Sequence, residues 1–190
     1  MAKLIFISGS TRKDSLNKKL AKLAYEFAKE LGYDAKLIDL KEYEMPIYDG
    51  DLEAAKGIPD TAKKLKKEFI AADGIFLASP EYNSSISPLL KNTLDWISRK
   101  DDGTGGELVA YTGKVFALSA ASPGGFGGLR GLVPLRMMLG NIGVHVLPDQ
   151  VAIPSATNAF DENGKLKDEK TAARIKALVK SLNDISGKLK

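Results

Sequence analysis

Short apolar runs and amphipathic stretches take turns along this chain from one end to the other, and that alternation constrains the fold more than any single motif. Lys3–Ser8 (KLIFIS) is a β-branched and aromatic run closed by Gly9-Ser10, which reads as a buried strand. Leu16, Leu20, Leu23, Ala24, Phe27 and Leu31 then recur at helical spacing, and Gly32 supplies a stop. Asp34–Asp39 makes a second strand, Pro59-Asp60 opens a helix to about Ala72, and Gly74–Ser79 is a third strand. Ser87-Pro88 combines an N-cap with a first-turn proline, starting a helix that runs to about Arg99. Lys114–Ala120 reads as a fourth strand, Leu129 to about Asn141 as a helix, and Gly143–Leu147 as a fifth strand. Ile175, Leu178, Val179, Leu182, Ile185 and Leu189 mark a final amphipathic helix.

Strands alternating with helices require a parallel sheet covered on both faces. Right-handed crossovers then favour a doubly wound α/β/α sandwich, whose five-stranded form has the order 2-1-3-4-5. The whole of 1–190 is expected to be one domain, since no linker, repeat or low-complexity tract divides it. In such a sheet the ligand lies at the carboxyl ends of the strands, near the switch between the first and third. The loops after Ser8, Ser79 and Ala120 are therefore the expected functional loops. The Lys100–Gly113 stretch, with Gly103, Gly105 and Gly106, reads as a long loop.

Composition narrows the chemistry. The 190 residues include no cysteine, which excludes disulfides, thiol nucleophiles, iron–sulfur clusters and Cys-based zinc sites. The single histidine, His145, excludes a multi-histidine metal centre and argues against a Ser-His-Asp triad. It falls on the fifth strand, where a structural imidazole is expected. Redox chemistry would therefore belong to a bound organic cofactor. Net charge is +4, but the densest basic group, Lys63, Lys64, Lys66 and Lys67, lies on a helix with apolar Leu65, Phe69 and Ile70. It reads as a solvated helix face, with no interleaved aromatics to suggest nucleic-acid binding. No apolar run approaches a membrane span, and Met1-Ala2-Lys3 leads straight into a strand, so a cytoplasmic protein is expected.

Each of the three loops carries suitable groups. In the first, the hydroxyls of Ser10, Thr11 and Ser15 and the amide of Asn17 can donate to phosphate oxygens. The unpaired N–H groups of the helix start point the same way, and Arg12 offers a charged fork. Neither G-x-G-x-x-G nor G-x-x-x-x-G-K-[ST] is present. In the second loop, Pro80 stiffens a turn whose amides can face a planar heterocycle, with Tyr82 and Asn83 alongside. The third, Ala121 to Gly128 (ASPGGFGG), permits close backbone approach, and its N–H groups can bond ring carbonyls and stabilise negative charge developing there.

Together the loops resemble those of the NADPH-dependent FMN reductase family, which includes bacterial quinone and chromate reductases. The matching stretches are Gly9-Ser10-Thr11-Arg12 with Ser15 and Asn17, PEYNSSISPLLKNTLDWISR from Pro80 to Arg99, and SPGGFGG from Ser122. They lie within residues 3–150. The resemblance implies a flavodoxin-like fold and bound FMN. Ser10, Arg12, Ser15 and Asn17 would hold the phosphate, with backbone contacts from Thr11 and Leu16. Pro80, Glu81, Tyr82 and Asn83 would line the isoalloxazine, and Ser122, Pro123, Gly124 and Gly125 would cover its other edge. NAD(P)H as co-substrate would pass hydride to the flavin, and a quinone, azo compound, metal oxyanion or free flavin would take the electrons. No metal is implied, no protein acid or base is assigned, and Tyr82 shapes the substrate face. Asp95, Trp96 and Arg99 would support packing or a subunit interface, and a homodimer or homotetramer is expected. The Gly-rich segment before the fourth strand is longer than the family pattern.

Three other readings are distinguishable. A flavodoxin-type electron carrier would lack NAD(P)H turnover, and its acidic docking surface contrasts with this mildly basic chain. A flavin-free α/β binding module would show no cofactor affinity, and a serine hydrolase would need a G-x-S-x-G elbow that is absent.

Overall fold

A computed structural model describes residues 1–100, 103 and 106–190. In chain order its elements are β1 (Lys3–Ser8), α1 (Leu16–Glu30), β2 (Asp34–Ile38), α2 (Gly50–Lys56), α3 (Asp60–Ala71), β3 (Gly74–Ala78), β4 (Glu81–Tyr82), β5 (Ser85–Ile86) and α4 (Pro88–Ser98). They continue with β6 (Val115–Ala121), α5 (Leu129–Asn141), β7 (His145–Ile153) and α6 (Glu169–Lys188). The main sheet is parallel with the order β2-β1-β3-β6-β7. Counting only its own strands, this is the expected 2-1-3-4-5.

Strand alternation divides the interior in two. Leu4 and Phe6 of β1 pack with Leu20, Ala21 and Leu23 of α1 and with Leu178 and Leu182 of α6. Ile5 and Ile7 point the other way, towards Leu65 and Phe69 of α3, Leu90 and Leu94 of α4, and Leu132 and Leu135 of α5. Each fully buried side chain of this size contributes about 1.5–3 kcal/mol. Because both faces of β1 and β3 are covered, their sequences are continuously apolar rather than alternating.

The structure departs from the expected elements in several places. The fifth sheet strand runs on to Ile153, passing through a register irregularity between the pairs at Phe116 and Leu118. Pro148 and Asp149 sit in that interval and interrupt the β pattern, which an edge strand tolerates because it needs only one row of partners. A short helix, α2, precedes the expected α3, and none of its residues is buried. Below it lies a small third core in which Trp96 and Ala62, both fully buried, pack with Ile58 and Tyr48. The Trp96 indole N–H donates to the Pro46 carbonyl at 2.8 Å, and Arg99 reaches Glu53 at 3.0 Å. Asp95 pairs with Lys91.

Lys66 is not solvated. It is completely buried, and its ammonium donates to the Arg99 carbonyl at 2.5 Å. It lies on the inward face of α3 with Ala62, Leu65 and Phe69, so its alkyl stem packs while its charge finds backbone oxygen. His145 is exposed at the amino end of β7 rather than packed, and that end is opposite to the expected ligand loops.

Within the expected long loop, Asp101, Asp102, Thr104 and Gly105 lie outside the described residues. The part from Leu108 onward is a packed turn. The Leu108 N–H donates to Ser98, and Ala110 and Tyr111 are fully buried. The Tyr111 hydroxyl donates to the Leu94 carbonyl at 2.6 Å, and burial pushes its pKa well above the usual tyrosine value. Tyr111→Phe removes that donor without changing the packing and is expected to lower stability by about 0.5–1.5 kcal/mol. A urea-denaturation midpoint equal to that of the parent would show the bond to be dispensable.

Candidate functional site

The carboxyl ends of β1, β3 and β6 lie side by side in the sheet, so the three loops that follow them converge. A cleft of about 120 Å³ runs between them, lined by Ser10, Arg12, Ser15, Leu16, Asn17, Pro80, Glu81, Tyr82, Ala121, Ser122 and Pro123.

The first loop ends where Ser15 caps α1 in extended conformation, accepting from the Lys18 N–H at 3.4 Å. The Lys19 N–H returns to the Ser15 carbonyl, which leaves the N–H groups of Leu16 and Asn17 without a helical acceptor. Ser10 Oγ accepts from the Arg12 N–H at 3.3 Å, and Ser122 Oγ accepts from the Gly124 N–H at 3.2 Å. Each of these three hydroxyls is thus oriented by a backbone donor while its own proton stays available. Among the described residues no carboxylate pairs with the Arg12 guanidinium. The result is a concentration of donors at a positive helix end to which no carboxylate among the described residues is bonded, Glu81 in the same cleft being held by Arg130 and the Gly131 N–H, which suits a phosphate.

Asn17 does something the sequence did not foretell. Its side chain is buried, with Nδ2 donating to the Ala121 carbonyl and Oδ1 accepting from the Ala121 N–H, both at 2.9 Å. It therefore imitates a neighbouring strand at the end of β6 and locks the first loop to the third. One amide donor of Asn17 and its backbone N–H remain for a ligand.

Gly9 is squeezed between the first two loops. A Cβ there would lie 3.1 Å from both Leu90 and Pro80 side chains. Ser87 donates to the Gly9 carbonyl at 2.6 Å and accepts from the Leu90 N–H at 3.1 Å, joining the start of α4 to the same junction. The second loop then forms the antiparallel ribbon β4–β5, with Tyr82 opposite Ser85. Its two central residues, Asn83 and Ser84, have φ of 50° and 64°, the pair of positive values that a tight type I′ hairpin needs. Tyr82 is left largely exposed at the cleft. Glu81 is anchored by Arg130 at 3.2 Å and by the Gly131 N–H at 3.4 Å, which ties the ribbon to the first turn of α5.

In the third loop, Gly127 and Gly128 both have positive φ. A Cβ on Gly127 would come within 2.6 Å of the Ile153–Pro154 backbone, so only glycine lets this loop lie against β7. Thr11, Asn83, Gly124 and Gly125 are next to the cleft-lining residues in sequence but do not themselves line it. Ala121 lines it and was not singled out. As the last residue of its strand it carries no side-chain signal, and only its backbone matters.

Comparison with known proteins places these features in a wider group. The sequence profile described as NADPH-dependent FMN reductase matches residues 2–158. An NAD(P)H-dependent FMN reductase of Pseudomonas aeruginosa is 35% identical over 95% of this chain and 92% of its own. An NAD(P)H:quinone oxidoreductase of Solanum tuberosum is 32% identical over 99% of this chain and 94% of its own. Among solved structures, the flavoenzyme NAD(P)H:(acceptor) oxidoreductase FerB of Paracoccus denitrificans superposes with a TM-score of 0.81 at 28% identity, covering 99% and 98% of the two chains.

Asn17→Ala leaves both backbone groups of Ala121 unpaired in a buried setting and is expected to cost about 2–4 kcal/mol of folding stability. A shift in the chemical-denaturation midpoint worth less than about 1 kcal/mol would show that water replaces the carboxamide without penalty.

Proposed function

The chain belongs to the NADPH-dependent FMN reductase family and is an FMN- and NAD(P)H-dependent oxidoreductase; from that premise we propose how its own residues serve the reaction and which acceptor it takes. The observation that carries the proposal is the set of unopposed donors at the start of α1 facing the Pro80–Tyr82 wall across one cleft. That donor set fits a phosphorylated flavin, with anion chemistry at one end and room for backbone contacts to a ring at the other. Held by Ser10, Arg12 and Ser15 at its phosphate and by the Pro80–Asn83 turn at its ring, FMN would supply the redox chemistry, two-electron transfer from NAD(P)H to the acceptor, and a quinone taking up two electrons and two protons would leave as its hydroquinone.

The residues have distinct tasks in this reading. Ser10, Ser15 and Arg12 bind the phosphate, and the N–H groups of Leu16 and Asn17 complete its shell with Thr11 beside them. Pro80 and Glu81 present backbone to the ring, and the hairpin turn at Asn83 fixes where Tyr82 stands. Ser122, Pro123, Gly124 and Gly125 cover the far edge, where Gly127 and Gly128 allow the chain to approach closely. The acceptor is proposed to be quinone-like, in keeping with the Solanum relative, with azo compounds, metal oxyanions such as chromate and free flavin as further candidates. The family match gives no support to an electron carrier without nicotinamide turnover.

The whole chain is read as one domain, acting in the cytoplasm, where reduced nicotinamide is available. Among the described residues no helix is long and apolar enough to cross a membrane. Self-association as a dimer or tetramer is supported by the outer face of α5. Val133 and Met137 are 64% and 71% exposed there, in line with Leu129 and with Phe126, which is 62% exposed beside the third loop. An apolar stripe of this kind is costly to leave in water.

Protein saturated with FMN is expected to be yellow and to consume NADH or NADPH when a quinone is added. Folded protein that takes up no FMN would end the proposal. Arg12→Ala is expected to weaken FMN binding by about 1.5–3 kcal/mol, read by flavin fluorescence titration, and an unchanged affinity would remove Arg12 from the site. Val133→Glu is expected to lower the mass seen by sedimentation, whereas an unaltered mass would place the contact elsewhere.

A further inference from the structure

Of the chain's asparagines only Asn163 is followed by glycine. It stands beyond β7, past the segment 2–158 that the family profile matches, in a tight hairpin that carries the chain into α6. Phe160 and Leu166 pair across that hairpin as an antiparallel bridge, and both are buried in the core shared by α1 and α6. The Asp161 N–H donates to the Lys165 carbonyl at 2.9 Å. Asp161 Oδ1 accepts from the N–H groups of Asn163 at 2.9 Å and Lys165 at 2.8 Å. One carboxylate therefore organises the turn, and Asp168, just past Leu166, caps α6 by accepting from the Thr171 N–H at 2.9 Å.

Asn163 is exposed, and its carboxamide bonds nothing among the described residues. Gly164 has a φ of 78°, and a Cβ placed there would meet nothing within 4 Å, so its nitrogen is shielded neither by a side chain of its own nor by a neighbour at that position. The other asparagines are better protected. Asn17 commits both ends of its carboxamide to Ala121, and Asn92 commits its own to Tyr48 and Pro46. Asn141 precedes β-branched Ile142, and Asn83, Asn158 and Asn183 precede Ser84, Ala159 and Asp184, whose Cβ atoms crowd the nitrogen that follows each asparagine.

From the unbonded carboxamide, the open glycine nitrogen and the turn around them, we propose that Asn163 is a site of spontaneous covalent modification, deamidation through attack by Gly164. The Gly164 nitrogen, on losing its proton to hydroxide, attacks the side-chain carbonyl carbon of Asn163. That C–N bond forms, the carboxamide C–N bond breaks, and ammonia leaves with a proton from water, giving a succinimide ring. Water then adds to either ring carbonyl and opens the ring to aspartate or, with the main chain rerouted through the side chain, to isoaspartate. No electrons are exchanged, and water is the only co-reactant. The Gly164 N–H donates to the Asp161 carbonyl at 3.1 Å, so the attack waits on the opening of one bond at an exposed turn tip, where local opening is easiest. Isoaspartate lengthens the main chain by a methylene between two of the donors that Asp161 holds, so the hairpin no longer closes in register. The conversion also replaces a neutral amide by a carboxylate in a groove lined by Lys19 and Lys22 of α1. The site goes beyond the flavin reading and does not depend on it.

The test ages FMN-saturated full-length protein in mildly alkaline buffer, with a mildly acidic sample in parallel, and reads peptide masses over time. The peptide containing Asn163 is expected to gain about one dalton and to become a substrate for an isoaspartyl methyltransferase, at least about tenfold faster in the alkaline sample because hydroxide is the base. Asn163→Gln, whose longer side chain must close a larger ring, is expected to lose that change, and the other asparagine peptides are expected to keep their masses over the same interval. Aged protein is expected to be cut by trypsin after Lys165 and Lys167 several-fold faster than fresh protein, with no such gain in aged Asn163→Gln protein. An Asn163 peptide that keeps its mass, or a gain that appears first at Asn83, overturns the site. Isoaspartate at Asn163 with cleavage unchanged overturns its effect on the hairpin. Failure to take up FMN counts against the proposed function alone, because the peptide masses are read equally well on the flavin-free protein.

Discussion

The carboxamide of Asn17 joins two segments 104 residues apart, and the cleft between the three loops is built around that junction. A doubly wound sheet brings its loops near one another but does not set their spacing. The paired bonds between Asn17 and Ala121 do so for the first and third loops, because two parallel hydrogen bonds fix direction as well as distance. Ser87 performs the equivalent task between the second loop and Gly9. Glu81, held by Arg130 and the Gly131 N–H, connects the ribbon to α5. With these three ties in place, the hydroxyls of Ser10, Ser15 and Ser122 can stand ready for a ligand without reorganising when it arrives, which is the advantage of preorganised donors over mobile ones.

How much of this could be read beforehand follows from how local each feature is. β1 and β3 were plain because both faces are buried, which leaves long apolar runs, and α1 was plain because one face is. The loops could be located because parallel topology puts ligand sites at strand ends. α2 was invisible, since a helix with no buried residue has no periodic pattern to detect. The β4–β5 ribbon has strands two residues long, too short for alternation, although Asn83-Ser84 is a turn-forming pair. β7 was cut short by Pro148, whose effect depends on the strand being at an edge. Lys66 was misplaced because its partner is a backbone oxygen 33 residues away. The residue types at the cleft were recognisable, but the role of Asn17 was not, as nothing near it in the chain points to Ala121.

The division of labour within the third loop is also physical. Gly127 is needed because β7 lies against it, and Gly128 because Ala120 does, with a Cβ–Cβ distance of 2.7 Å if a methyl were added. Gly124 and Gly125 have no such neighbour: a Cβ on Gly125 would meet nothing, and one on Gly124 only Ser122 Oγ at 3.7 Å. The first two glycines answer to the fold. The second two leave backbone bare at the rim of the cleft, where a ring edge is proposed to rest.

The irregular edge strand has a consequence for how copies of this chain can meet. Pro148 removes an N–H from one margin of the sheet, and charged Asp34 and Lys36 occupy the other. Neither margin is a clean template for adding another strand, so ribbon-like growth is discouraged even in a crowded solution.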